Sequence, residues 1–272
     1  MAGDKTSTQN ISENAVKPKK ALHFFRRILF TVVLLVATVI VGIIALFFIL
    51  HFASDSNNYM VTRAENDSLR EIATEIENNP LTGSEDGTFT ERAPFDTEMI
   101  RINPDYICWI NIGGTRIDHP VVRGYDNDKY ISTSFYGEDN ELGAIFIDHR
   151  NRGERLSNII IYGHNSAQGE MFGDLHLLLN DTVLSDNNII TLNVNDKIFE
   201  YEIFSVRLTD VYDPAYIINF DSQNDFNEFA YVIDAPAEAT KILTLSTCVS
   251  RGHLDERLVV HAYSLSRECF LS

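Results

Sequence analysis

Two kinds of hydrophobic pattern divide this chain. Ile28 to Leu50 is an unbroken apolar run without a charged residue. As a helix rising about 1.5 Å per residue it is about 35 Å long, enough to cross a hydrocarbon core of about 30 Å. Leu69, Ile72, Ala73 and Ile76 then recur at helical spacing, which predicts an amphipathic helix over roughly residues 59–78. Asn79 to Pro94 mixes Pro, Gly, Thr, Ser and Asp and reads as a loop.

From about residue 99 the period shortens. Tyr106–Ile112, Arg116–Val122, Gly143–Asp148, Asn158–Tyr162, Ile189–Val194, Ile198–Leu208, Lys241–Thr247 and Arg257–Tyr263 are short runs rich in Ile, Val, Tyr and Phe, and each predicts a strand. Phe199-Glu-Tyr-Glu-Ile203 alternates apolar and acidic positions, so one face of that strand meets water. Asn195-Asp196 is suited to a hairpin turn before it. Two helical patterns interrupt the strands. Met171, Phe172, Leu175, Leu178 and Leu179 mark one, with His176 packed among the leucines. Phe226, Phe229, Ala230 and Ile233 mark the other, with Asp221 or Ser222 as N-cap. Eight short strands fit a β-barrel or sandwich better than an alternating α/β sheet.

Charge gives the apolar run a direction. Lys5, Lys17, Lys19, Lys20, Arg26 and Arg27 against Asp4 and Glu13 leave +4 ahead of it, so the remainder of a chain of net −17 carries −21. Basic residues beside a membrane helix stay cytoplasmic, which puts the N-terminus inside and the folded part outside. A secretory signal peptide is the rival reading. It has a shorter apolar core and a small-residue cleavage site, for which Ala53-Ser54 is a poor match. A strongly acidic exterior excludes a nucleic-acid partner and disfavours lying flat on anionic lipid; its simplest role is to keep the surface solvated. Cys108, Cys248 and Cys269 are too few, and odd in number, for a disulfide framework.

The candidate chemistry centres on Cys248. It ends the strand Lys241–Thr247, and the polar stretch Val249–Glu256 follows at once. A thiol at such a boundary is partly exposed with cations near it, which favours a thiolate; the alternative is a small buried apolar residue. Arg257 opens the next run. Antiparallel pairing of the two strands brings it back beside Cys248, where its fork suits an oxyanion; the alternative is an ion pair with Asp255 or Glu256. A cysteine acting on an amide needs a proton donor for the leaving amine. Position favours His164, in the turn after Ile159–Tyr162, over His253, which is nearer in sequence. No His/Cys/carboxylate cluster has zinc or calcium spacing, and no glycine-rich phosphate loop occurs, so neither metal nor cofactor is expected.

Thr244-Leu-Ser-Thr-Cys248, Arg257-Leu-Val-Val260 and the upstream Tyr162-Gly-His-Asn165 together resemble the sortase family, and class B within it. Asn103-Pro-Asp-Tyr-Ile-Cys-Trp-Ile110, Ile117-Asp-His-Pro-Val-Val122 and Gly143-Ala-Ile-Phe-Ile-Asp148 extend the resemblance from about Asn103 to Tyr263. It implies an eight-stranded β-barrel with an N-terminal helical extension and a helix in the loop before the strand carrying the cysteine. The implied partition is a cytoplasmic tail at 1–27, a membrane anchor at 28–52, a juxtamembrane helix and linker at 53–98 and a catalytic domain at 99–272.

The resemblance also implies a membrane-anchored cysteine transpeptidase on a Gram-positive-type cell surface. Cys248 would be the nucleophile, His164 the general acid and base, and Arg257 the oxyanion partner. The substrates would be surface proteins bearing an Asn-Pro-x-Thr-x-like C-terminal sorting signal, cut at the Thr carbonyl. The acceptor would be an amine of a peptidoglycan precursor or a pilin. Asn127, Ile131, Tyr216, Ile217 and Ser246 match substrate-groove positions, with Ile131 standing where the family often has Leu. Two other readings remain open: a sortase-fold endopeptidase, and a non-catalytic anchored surface-binding domain.

Overall fold

The computed structural model describes residues 18–78, 81–83, 89–91, 95–152, 158–195, 197–248, 255–266 and 268–271. Contacts divide the chain into two units, Met1–Asp55 and Ser56–Ser272. Helix α1 covers Pro18–Asn78 and so begins ahead of the apolar run. Its apolar side chains from Phe24 to Phe52 are exposed, and by length and composition it is able to cross a membrane.

In the second unit the chain from Ser56 contributes the amphipathic turns of α1. Leu69 is buried, with Ile72, Ala73 and Ile76 packed beside it on Phe95, Met99, Trp109 and Tyr130. The stretch read as a loop holds a short antiparallel pair, β1 (Leu81–Gly83) and β2 (Phe89–Glu91). It leads into α2 (Phe95–Ile102), a helix the apolar pattern did not reveal.

Eight strands follow: β3 (Tyr106–Ile112), β4 (Asp118–Val122), β5 (Ile145–Ile147), β6 (Asn158–Tyr162), β7 (Ile189–Val194), β8 (Lys197–Asp210), β9 (Ile242–Cys248) and β10 (Glu256–Ser264). They close a barrel in the order β10-β8-β7-β3-β4-β5-β6-β9, and closure leaves that sheet without an edge. The period of two puts Ile110, Ile112, Ile159, Ile161, Leu243 and Leu245 into the interior cluster. On β8, Phe199, Tyr201 and Ile203 are buried between the outward Glu200 and Glu202, the expected alternation. Asn195 takes φ of +50° in the turn between β7 and β8, a conformation asparagine tolerates.

The segment Gly173–Leu179 is a 3₁₀ helix followed by α3 (Asp181–Asp186). Three residues per turn rather than 3.6 shifts the faces. Leu175 and Leu178 remain buried, whereas His176 and Leu179 are exposed, so the packed position expected for His176 is corrected. Helix α4 (Gln223–Val232) precedes β9 and is N-capped by Ser222 in a reciprocal capping box with Asp225. Phe226, Phe229 and Ile233 bury against Phe204 and Ile242 on the outside of the barrel.

Candidate active site

Strand register brings the three central residues together. β6 and β9 run parallel, with Tyr162 paired to Ser246, and the Gly163 amide donates to the Ser246 carbonyl at 3.3 Å. His164 and Cys248 each stand two residues beyond that pair, at the same end of neighbouring strands. β9 and β10 are antiparallel, and Arg257 is the register partner of Cys248. The expected return of Arg257 to Cys248 is therefore what the backbone shows.

Local structure fixes the histidine. Gly163 is required by space, because a Cβ there would stand 2.8 Å from the Phe172 ring. Phe172 donates its amide to the His164 carbonyl at 3.0 Å, and a bridge between Asn165 and Met171 closes the loop. The ring's Nε2 lies 2.7 Å from the Ile131 carbonyl. A carbonyl only accepts, so Nε2 carries the proton and Nδ1 is the nitrogen left to exchange one.

A cavity of about 300 Å³ opens on this end of the barrel, lined among others by Asn127, Ile131, Tyr162, His164, Cys248 and Arg257. Its size is at the lower bound for a ligand pocket. A smaller cavity of about 50 Å³ also reaches Cys248 and is bordered by His176. Cys248 is half-buried, whereas Cys108 and Cys269 are buried. Burial pushes the Cys108 thiol up, with Asp96 adding to the effect. Among the three thiols, access therefore favours Cys248.

The expected groove residues divide by position. Asn127 and Ile131 line the cavity, and the Asn127 side-chain oxygen also accepts the His149 amide at 2.9 Å. Ser246 lines it from β9. Tyr216 and Ile217 stand behind that wall. The Tyr216 hydroxyl is 2.9 Å from the Ser246 Oγ, and its ring stacks on Tyr162 at 6.4 Å and 13°. Ile217 is 46% exposed, and its carbonyl accepts from Asn158. Burial raises the Tyr216 hydroxyl pKa, partly offset by the bond to Ser246 and by the charge of Arg257.

Strand patterns did not reveal the support beneath Tyr162. Its hydroxyl donates to the buried Asp148 at 3.0 Å, and Arg150 closes a fork on the same carboxylate at 2.9 and 2.7 Å. Burial alone would raise the Asp148 carboxyl, but the Arg150 and Tyr162 contacts together carry it below the usual range. Two other histidines are removed from acid–base work. Burial lowers His119 and His261 to about 3 each, so both are neutral at ordinary pH. His253 lies outside the described residues.

A thiol at the end of β9, an imidazole just past the end of the parallel β6 and a guanidinium on the antiparallel β10 line one cavity on a closed barrel. The family model for the sortase domain matches residues 110–265. Sortase B of Listeria monocytogenes is 34% identical over 162 residues, covering 56% of this chain and 65% of that protein, slightly less than two thirds of its length. Sortase B of Staphylococcus aureus is 30% identical over 173 residues, covering 60% and 71%. The crystal structure of Clostridium perfringens sortase B superposes with a TM-score of 0.59 at 32% identity, covering 63% of this chain and 100% of that one. The chain belongs to the sortase family, in its class B branch. Members of this family are cysteine transpeptidases that act on sorting-signal substrates with amine acceptors.

Proposed function

We propose that this protein is a membrane-anchored sortase that joins surface proteins to an amine acceptor through a thioacyl intermediate on Cys248. The observation that carries the reading is the register of β6, β9 and β10, which gathers His164, Cys248 and Arg257 at one cavity. The Cys248 thiolate attacks the Thr carbonyl of an Asn-Pro-x-Thr-x-like signal, and Arg257 stabilises the negative oxygen that forms. The C–N bond breaks as His164 gives the departing amine the proton that its Nδ1 took from the Cys248 thiol. An amine of a peptidoglycan precursor or a pilin then attacks the thioester and returns a proton to His164. The C–S bond breaks and the thiolate is restored. Asn127, Ile131, Tyr216, Ile217 and Ser246 shape the groove for the signal.

Residues 28–52 anchor the chain, with 1–27 in the cytoplasm, 53–98 leading from the membrane and the catalytic domain 99–272 on the cell exterior. The basic residues before the apolar run and the acidic balance after it support this direction. Incubation with a library of sorting-signal peptides and an amine, read by mass spectrometry, tests the activity. Products joined to the amine support transfer, and products ending in a free acid support the endopeptidase reading instead. Labelling of Lys5 and Lys17 by an impermeant amine reagent on intact cells would contradict the orientation.

A further inference from the structure

Tyr216 is the residue behind the groove wall that reaches Ser246, and the two carbonyls flanking it, Ala215 and Ile217, are both held by one side chain. Asn158 Nδ2 donates to the Ala215 carbonyl at 3.0 Å and to the Ile217 carbonyl at 2.8 Å. Asn158 is buried at the start of β6, on the face that carries Tyr162 at the other end. Its amide has spent both hydrogens on the loop, so its orientation decides where Tyr216 sits.

That orientation is set by a directional chain of hydrogen bonds. Thr244 Oγ1 donates to Asn158 Oδ1 at 2.8 Å. A hydroxyl has a single proton, so the 3.1 Å contact between Thr244 Oγ1 and His261 Nδ1 is donated by the ring. The Nε2 lone pair of His261 then faces Arg207 Nη2 at 3.5 Å. Arg207 in turn forks onto Asp213 at 2.6 and 2.6 Å. Asp213 accepts the Ala215 amide at 2.8 Å, which closes the circuit at the same loop. The depressed basicity of His261, down to about 3 through burial and then the Arg207 charge, keeps the ring neutral, as this tautomer requires. Asn158, Thr244 and His261 are all buried, and an unmatched partner at such depth is costly. The circuit therefore has one low-energy arrangement.

We propose that Asn158, oriented by Thr244 and His261, is the positioning residue that fixes Tyr216 against Ser246 and so shapes the groove beside Cys248. The inference rests on the transpeptidase reading for its kinetic consequence, but its geometric content stands apart from that reading. A merely structural role would make these residues equally important whether or not Tyr216 is present.

A double-mutant cycle on the full chain separates the two. Thr244→Val keeps the side-chain shape and removes the donor, and Thr244→Ser keeps the donor. Thr244→Val, which loses both the bond donated to Asn158 and the one accepted from His261, is expected to lower kcat/KM for peptide transfer about tenfold or more, with Thr244→Ser within about twofold of wild type. In a Tyr216→Ala background the same change is expected to matter less than about twofold. An equal loss in both backgrounds overturns the proposal. If Thr244→Val does not fold, Thr244→Ala removes the same hydroxyl without adding a methyl against the amide.

A readout independent of activity is the ¹⁹F signal of fluorotyrosine-labelled protein, with Tyr216 assigned by Tyr216→Phe. It is expected to shift or broaden in Thr244→Val and to return in Thr244→Ser; an unmoved signal contradicts the positioning role. Wild-type protein that transfers no peptide would instead count against the enzymatic reading, leaving the ¹⁹F comparison to decide this one.

Discussion

Tyr162 and Ser246 are register partners in the parallel pair β6–β9, and the two chains leave the barrel in step from that rung. Cys248 ends β9, and His164 stands two residues past the end of β6, where the Phe172 amide and the Asn165–Met171 bridge hold it. Arg257 is brought in from the other side by its pairing with Cys248 across β9 and β10. Sites built on regular strands hold their geometry better than sites on loops.

Replacing the proposed acid or the oxyanion partner is therefore expected to remove transition-state stabilisation while the fold survives. His164→Ala and Arg257→Ala are each expected to lose on the order of 100-fold or more in kcat/KM. His253→Ala is expected to stay near wild type. Loss in His253→Ala with normal rates in His164→Ala would reassign the general acid.

The three thiols are expected to differ in reactivity. Cys248 is half-buried at the cavity, whereas Cys108 and Cys269 are buried. Brief exposure of native protein to a thiol-reactive sulfonate, followed by peptide mapping, is expected to label Cys248 first. Equal labelling of all three would remove the argument from access.

Stability is expected to fall in mild acid because two buried histidines resist protonation. His119 and His261 are depressed to about 3 in the fold, against about 6.5 in an unfolded chain. Between those values the unfolded state binds more protons, so stability is complete above about pH 6.5 and declines as pH falls. Each histidine contributes a slope of up to about 1.4 kcal/mol per pH unit in that window. Melting curves from pH 7.5 to 5 are expected to show a falling Tm, with a shallower slope in His119→Gln. A flat profile over that range would contradict the neutral, buried assignment.

The helix of the second unit is tied to the loop that follows His164. Asn66 Nδ2 donates to Glu170 Oε2 at 3.0 Å, and both residues are buried. Asn66→Leu strands a buried carboxylate oxygen and is expected to cost about 1–3 kcal/mol, with transfer activity falling alongside. Adding Glu170→Met removes the stranded charge and is expected to recover part of the loss. Urea unfolding of both variants measures it; a double variant no more stable than Asn66→Leu would mean the contact is not the source.

Much of the architecture was legible because strand signals are local. Eight β-type runs, the acidic alternation on β8 and the Ser222 cap are patterns within a few residues. α2 carries no periodic signal because its two buried apolar residues, Phe95 and Met99, form a single helical step. His176 was misplaced because the 3₁₀ geometry of Gly173–Leu179 rotates it out of the apolar stripe.

In the site, Cys248 and Arg257 were readable from one antiparallel pairing of adjacent runs. The Asn158–Thr244–His261 circuit was not. Its members lie on three strands, and each looks in sequence like an ordinary polar residue within an apolar run. Nothing local marks a side chain whose role is to hold a distant loop. The same holds for Asp148 and Arg150, adjacent to a strand end yet acting on Tyr162.

The thioacyl intermediate on Cys248 is a covalent species, and intact-protein mass spectrometry detects it. Protein mixed with a sorting-signal peptide and no added amine is expected to gain the mass of the acyl fragment ending at Thr. The adduct is expected to map to the peptide containing Cys248, to discharge when amine is added, and to be absent in Cys248→Ala. Cleavage that proceeds undiminished in Cys248→Ala, or an adduct on any other residue, would contradict the account.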